Sequence, residues 1–217
     1  MTAISLPSLS AVEVRVLGVL AEKQRTVPDT YPLTLNALVA GCNQKTSREP
    51  VMEFSDEQAQ QALDSLRAMS LIIESSGGRV PRYEHNIERV LQIPPTSTAL
   101  LAVLMLRGPQ TAGELRINCD RLHKFMDISA VEGFLRELAE RPDGSLVVEL
   151  PRQPGSRESR WAHLLCGAPV AEQHVATASR SNGGGDLTVL RSRVDALETR
   201  VAELAALIAA LQPGQKR

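Results

Sequence analysis

Apolar positions fall into two successive patterns of the same form, each a run of helical periodicities followed by a short alternating hairpin. In the first, Val12, Val16, Val19 and Leu20 make a helical stripe. Ser10 and Glu13 have the spacing of a capping box ahead of it, and Leu9 and Val14 that of a hydrophobic staple. Pro28 and Pro32 bracket a turn, and 33–40 predicts a short second helix that stops near Gly41 and Asn43. Ser55 with Gln58 predicts the cap of a third helix whose Ala59, Ala62, Leu63, Leu66 and Met69 face inward. A hairpin then follows: Leu71 to Glu74, a tip at Ser75 to Arg79, and Val80 to His85, with Pro81 suited to an edge strand.

After a linker expected at 92–96, the pattern restarts. Ala99 to Leu106 predicts a first helix, stopped by Gly108-Pro109. Thr111 with Glu114 predicts the second helix, and Ser129 with Glu132 a third, carrying Val131, Phe134, Leu135 and Leu138. Arg141-Pro142-Asp143-Gly144 stops that helix and turns the chain into a second hairpin, Leu146 to Leu150 and Ser159 to Leu165, with a tip rich in Arg, Pro, Gly and Ser. Helix, helix, helix, hairpin is the order of a winged helix, a helix-turn-helix variant that lays its third helix on DNA. The expected fold is α+β and mainly α: one winged-helix domain at 1–92 and a second at 93–167.

The remainder reads differently. Residues 168–186 are polar and small, closing on Gly183-Gly184-Gly185, and predict a flexible linker. From 187 to 211 the spacing is heptad, with Leu187, Val194, Val201 and Ile208 at a and Leu190, Leu197, Leu204 and Leu211 at d. β-Branched a positions with leucine at d favour a parallel two-stranded coiled coil, so these eight residues predict a homodimer. Arg193 and Glu198 have the g-to-e relation that pairs across such a coil. A single amphipathic helix folded back on the chain is the other reading of the same stripe.

The 217 residues are 43% hydrophobic, enough for two small cores, but only 3% aromatic. The cores are therefore aliphatic, and base stacking on aromatic platforms is disfavoured. A net charge of −1 and a pI near 6.4 mean that any nucleic-acid site is a local patch, since phosphate neutralisation supplies most of the affinity of basic DNA-binding domains. Cys42, Cys119 and Cys166 match no disulfide framework, and with four histidines no zinc spacing arises. No metal or other cofactor is expected. The chain shows neither a signal sequence nor an apolar run of spanning length, so a cytoplasmic location is expected, with no membrane partner.

Several stretches resemble the bacterial YceH-like family. They include Glu22-Lys23-Gln24, Pro28-Asp29, Tyr31-Pro32-Leu33, Leu35 to Leu38, Cys42 to Lys45 and Arg48 to Met52. Gly77 to Val80 and Tyr83-Glu84-His85 continue the resemblance. In the second pattern it covers Leu104 to Gly108, Gly113 to Arg116, Leu150 to Arg152 and Arg157 to Arg160, so that it spans roughly 9–167. Trp161 stands where the family pattern has tyrosine. The resemblance implies a tandem winged-helix fold in the bacterial cytosol and no particular activity.

Functional candidates lie in the segments between second and third helices and in the wings. The loop from Asn43 to Phe54 is long for a helix-turn-helix, and Lys45 and Arg48 offer donors to phosphates or base edges. The same loop fits a packing role, with Arg48 bonding carbonyls and Val51, Met52 and Phe54 in the core. Arg116 and Arg121 occupy the corresponding segment of the second pattern. Arg79 and Arg82 flank one wing tip, and Arg152, Arg157 and Arg160 the other, where cations serve either phosphate contact or edge protection. The third helices carry acids instead (Asp56, Glu57 and Asp64; Glu132, Glu137 and Glu140), which disfavours ordinary major-groove docking. No nucleophile with a partnered base and no phosphate-cradling loop is present in the pattern, so a non-enzymatic protein is expected. The leading expectation is a dimeric DNA-binding transcriptional regulator. The alternative is a protein-interaction adaptor that uses the acidic surfaces.

Overall fold

Ser10 opens the first helix as its pattern predicts: the Glu13 backbone N–H donates to Ser10 Oγ (3.2 Å), and the Ser10 N–H donates to Glu13 Oε2 (2.6 Å). A computed structural model describes residues 8–75, 77–153 and 155–167. Among these it has seven α-helices and two small antiparallel sheets, a mainly helical α+β architecture. The heptad segment 187–211 and the linker 168–186 lie outside the described residues.

Helix α1 (Ala11–Thr26) is followed by a short 3-10 turn (Pro28–Thr30), α2 (Leu35–Cys42) and α3 (Asp56–Ala68). Strands β1 (Ile72–Ser75) and β2 (Arg82–His85) then pair antiparallel, with Ile72 opposite His85 and Glu74 opposite Tyr83. After α4 (Ile87–Leu91) the order repeats as α5 (Pro95–Arg107), α6 (Ala112–Asn118), α7 (Ile128–Ala139), β3 (Val147–Glu149) and β4 (Trp161–His163). Val147 pairs with His163 and Glu149 with Trp161.

The two copies match residue by residue at their sheets. Leu33, just before α2, bridges to Tyr83; Gln110, just before α6, bridges to Trp161. Tyr83 and Trp161 thus hold one position of the repeat, and His85 and His163 another. Cys42 and Cys119 end equivalent helices, and both thiols are free, buried and raised by burial to about 12. Elevated thiols of this kind are packing groups, not nucleophiles.

Both copies belong to one compact unit. Its centre is the pair α1 and α5. Every residue from Val14 to Ala21 of α1 and from Ser97 to Leu106 of α5 is buried, a pattern of helices covered on all sides. Gly18 makes their close approach possible: a Cβ there would stand 3.1 Å from Leu106 Cδ2 and 3.1 Å from Met105 Cβ. A mid-helix glycine costs about 1 kcal/mol relative to alanine, so its use here follows the packing. The boundary expected between residues 92 and 93 separates two repeats that share a core.

Four local expectations are corrected. The second helix begins at Leu35, because Thr34 accepts from the Ala37 N–H and Leu33 is held in its bridge to Tyr83. Helix α5 begins at Pro95, whose fixed φ and missing N–H suit the first turn, so the expected 92–96 linker is partly helix. Helix α4, which precedes it, has no counterpart in the expected pattern. Ser129 does not cap α7: Asp127 does, accepting from the Ala130 N–H at 2.7 Å, and Ser129 lies within the helix.

The paired histidines carry a pH prediction. Burial, aided at His85 by the nearby charge of Arg25, lowers the His85 imidazole to about 4, and burial alone lowers that of His163 to about 4. His85 Nε2 lies 2.8 Å from Gln24 Oε1, and Nδ1 of each ring is buried with no partner among the described residues, which suits a neutral ring. An unfolded histidine near 6.5 then binds a proton that the folded one refuses, so stability falls as pH drops from about 6.5 toward 4. Each ring contributes on the order of 3 kcal/mol to that fall. Urea melts should show this acid limb flattened in a His85→Gln/His163→Gln double variant. An unchanged limb would assign it to other groups.

Candidate nucleic-acid interface

The hairpin tips stand on a fixed base. In the first, the β2 backbone is tied to the segment before α2 by Leu33 and Tyr83, each donating its N–H to the other's carbonyl (3.0 and 2.8 Å). Arg82 donates from Nη1 to the Pro32 and Thr30 carbonyls (2.7 and 3.3 Å), so part of its guanidinium braces the hairpin while the residue stays exposed. Arg79, at the tip, is exposed. In the second hairpin Arg152, Arg157 and Arg160 are all exposed, and Ser156 shapes the tip by donating to the Gln153 and Glu158 carbonyls.

The inter-helix loops separate their cations. Lys45 is exposed. Arg48 is not: its side chain has no solvent exposure, which withdraws it from the expected phosphate contacts. Its Nε donates to the Gly41 carbonyl, and its two amino groups reach both Glu22 oxygens (3.1 and 2.6 Å), the Ser47 carbonyl and Gln44 Oε1. All five guanidinium N–H groups are thereby used. The packing reading of this loop also holds for Asn43, which exchanges two hydrogen bonds with the Phe54 backbone, and for buried Phe54. Val51, expected in the core, is instead 58% exposed. In the second repeat Arg116 and Arg121 are exposed, with Arg116 donating to the Met126 carbonyl at 3.3 Å.

Electrostatics divides the surface by element. On α3, Arg67 is paired with Asp64 (3.7 Å) and Glu74, leaving Asp56 and Glu57 exposed at the helix start. On α7, Arg136 is paired with Glu132 at 3.3 Å. The cations of the hairpins and loops differ: among the described residues, Lys45, Arg79, Arg82, Arg116, Arg121, Arg152, Arg157 and Arg160 have no carboxylate within ion-pair distance. The third helices are therefore acidic or internally neutralised, and these eight cations sit on the hairpins, the inter-helix turns and the last turn of α6.

Sequence reasoning missed Arg107. At the end of α5 it donates to Ser47 Oγ at 2.7 Å, across from one repeat to the other. Ser47, Arg107 and Asn118 line a cleft with Arg160, and a smaller adjoining one with Arg121. The only advance signal was the position of Arg107 just before the Gly108-Pro109 stop. No helix among the described residues is long and apolar enough to cross a membrane.

Comparison with known proteins places this arrangement in a bacterial family. Residues 9–156 match the model described as "Protein of unknown function, DUF480". A "UPF0502 protein" of Dechloromonas aromatica is 62% identical over 204 residues, covering 94% of this chain and 96% of that protein. Its namesakes in Paraburkholderia phymatum and Delftia acidovorans are 57% and 54% identical; they cover 94% and 95% of this chain, and 88% and 95% of their own lengths. With the family model matched over residues 9–156 and relatives similar over most of their length, the chain belongs to the DUF480 family of bacterial UPF0502 proteins.

Proposed function

We propose that this is a tandem winged-helix protein of the YceH-like kind that binds DNA without catalysing a reaction, and that it acts as a transcriptional regulator in the cytoplasm. The carrying observation is the division of charge: among the described residues, exposed cations without an ion-pair partner occupy the hairpins, the inter-helix turns and the end of α6, while the third helices are acidic or self-neutralised. Phosphate contact then comes from the wings, chiefly Arg79, Arg152 and Arg157, with Lys45 and Arg121 on the turns and Arg116 at the end of α6. Third helices are secondary, because carboxylates at their starts repel phosphate. Replacing Arg152 and Arg157 together with alanine should lower the salt slope of DNA binding by about one to two units. An unchanged slope would remove the second wing from the interface.

The heptad segment completes the proposal as a homodimerisation helix, which would present two copies of the DNA-binding unit to one duplex. Light scattering on the full chain should give a dimer, and deletion of 187–217 a monomer. A monomeric full chain at high concentration would contradict it.

One observation favours the adaptor reading. Ile117, Met126 and Ile128 are 72%, 90% and 46% exposed, and all lie on the segment from α6 to the start of α7. Apolar exposure of this kind in one segment suits a protein partner better than a phosphate backbone. Recovery of a stoichiometric partner on the full chain after nuclease treatment, lost in an Ile117→Ser/Met126→Ser variant, would support that reading over DNA binding.

A further inference from the structure

A polar cleft lies between the two repeats, lined by Ser47, Glu49, Arg107, Gln110, Asn118 and Arg160. Its volume is about 270 Å³, room for roughly nine waters, which is the scale of a metabolite. Two bonds hold its walls together across the repeats: the Glu49 N–H donates to the Leu106 carbonyl (2.8 Å), and Arg107 donates to Ser47 Oγ (2.7 Å). Its floor is Gln110. The backbone of Gln110 is fixed by two hydrogen bonds with Trp161 (3.0 and 2.7 Å), and its Oε1 accepts from Asn118 Nδ2 at 2.6 Å.

The same side chain leaves a donor unused. Gln110 is 6% exposed, and its Nε2 is buried with no acceptor among the described residues. An orphaned buried donor costs about 1–3 kcal/mol, and the residue that carries this one lines a polar cleft. Beside it stand Arg107 and Arg160, neither paired with a described carboxylate. Guanidinium forks match carboxylates in plane and charge. Two lining carboxylates differ in availability: Glu114 Oε2 accepts the Thr111 N–H of its capping box, whereas Glu49 has neither a cap nor an ion pair among the described residues.

We propose that this cleft binds an acidic α-amino acid, its two carboxylates meeting Arg107, Arg160 and the Gln110 amide, and its ammonium meeting Glu49. Arg107 and Arg160 then face the two ligand carboxylates and Glu49 the ammonium, while Glu114, which also lines the cleft, stays engaged in its capping box. Because the site spans the first repeat's loop and the second repeat's α5, α6 and the residue before β4, occupancy braces the repeats against each other. The site goes beyond the DNA-binding reading, and takes Arg160 at the hairpin base as a ligand residue.

Calorimetric titration of the full chain with L-glutamate and L-aspartate tests it, with succinate (no amine) and L-alanine (one carboxylate) as comparators. The expected result is saturable binding of an acidic amino acid, weaker by tenfold or more for both comparators. Arg107→Met and Gln110→Leu should each weaken it about tenfold, the loss of one polar contact worth about 1.4 kcal/mol. Arg152→Ala/Arg157→Ala should bind as the parent does. Failure of both acidic amino acids to saturate at about 10 mM would overturn the proposal. So would succinate binding as tightly as they do, or binding unchanged in both cleft variants. No nucleic acid is present in the titration, so its failure leaves the wing reading standing.

Discussion

Replacing Arg48 with methionine is expected to cost about 3–5 kcal/mol of stability at neutral pH, the scale of breaking a buried pair from one side. Arg48 has a fully covered side chain and Glu22 is 14% exposed, so removing the cation leaves a carboxylate in a largely dry site whose one other ion-pair partner among the described residues is Lys23, at 3.4 Å. Burial alone would push the Glu22 carboxyl up. The hydrogen bonds and charge of Arg48, with Lys23, outweigh it and hold the group below the ordinary carboxylate range. A lowered folded value means that this contribution is present above the unfolded value of about 4.3 and is lost as pH falls through the folded one. In the variant the sign reverses, because an unpaired Glu22 prefers its proton. The penalty should therefore shrink as pH is lowered, and Glu22→Gln in the same chain should restore much of the loss. Urea melts at pH 7 and pH 5 read both effects. A variant as stable as the parent at pH 7 would mean that the loop does not depend on this pair. Lys45→Ala, three residues away and exposed, should leave stability within about 0.5 kcal/mol.

The second large effect is at the α1–α5 contact. Leu106→Ala should destabilise by about 2–5 kcal/mol, the range for deleting a buried leucine side chain. Its distal atoms lie 3.1 Å from where a Gly18 Cβ would stand, so it is the side chain against which α1 closes. Since the helices of both repeats share this core, calorimetry should show one transition that moves as a whole. Two transitions, with only the second repeat shifted, would mean that the repeats fold separately. A cycle sharpens the test. Gly18→Ala in the parent forces a close contact and should be neutral or destabilising. In the Leu106→Ala background the contact with that leucine is gone and only the one with Met105 Cβ remains, so Gly18→Ala should be less unfavourable there, by up to about 1 kcal/mol. Equal effects of Gly18→Ala in both backgrounds would contradict the close approach.

Much of this fold was legible because local signals agreed with one another. Ser10 with Glu13, Ser55 with Gln58 and Thr111 with Glu114 each close the capping box that their spacing announces. Where two local signals competed, spacing misled. Ser129 and Glu132 have the box pattern, yet Asp127 lies two residues earlier and its carboxylate reaches the Ala130 N–H first. Pro94-Pro95 reads as a break in the chain, whereas Pro95 starts the most deeply buried helix of the second repeat. The five residues of α4 are too few for a periodicity to show.

The site was less legible than the fold, for a different reason. Lys45 and Arg48 look equivalent in a polar loop, and only the return of Glu22 from α1, 26 residues away, buries one and leaves the other outside. Arg107, Gln110, Asn118 and Arg160 share a cleft only because the first repeat's loop is bonded onto α5 and Trp161 pairs beside α6. Contacts between distant segments leave no spacing in the sequence to read. The arginines of the hairpin tips were legible, since a tip is exposed wherever the hairpin lies.

The most direct test of the central claim is retention of sheared DNA from the source genome on the purified full chain at about 50 mM and 200 mM salt, beside the Arg152→Ala/Arg157→Ala variant. DNA binding through the wings predicts strong retention at the lower salt, a steep loss at the higher except at favoured loci, and a shallower dependence in the variant. No retention by the parent chain at about 50 mM salt would contradict it and turn attention to protein partners of the α6–α7 segment.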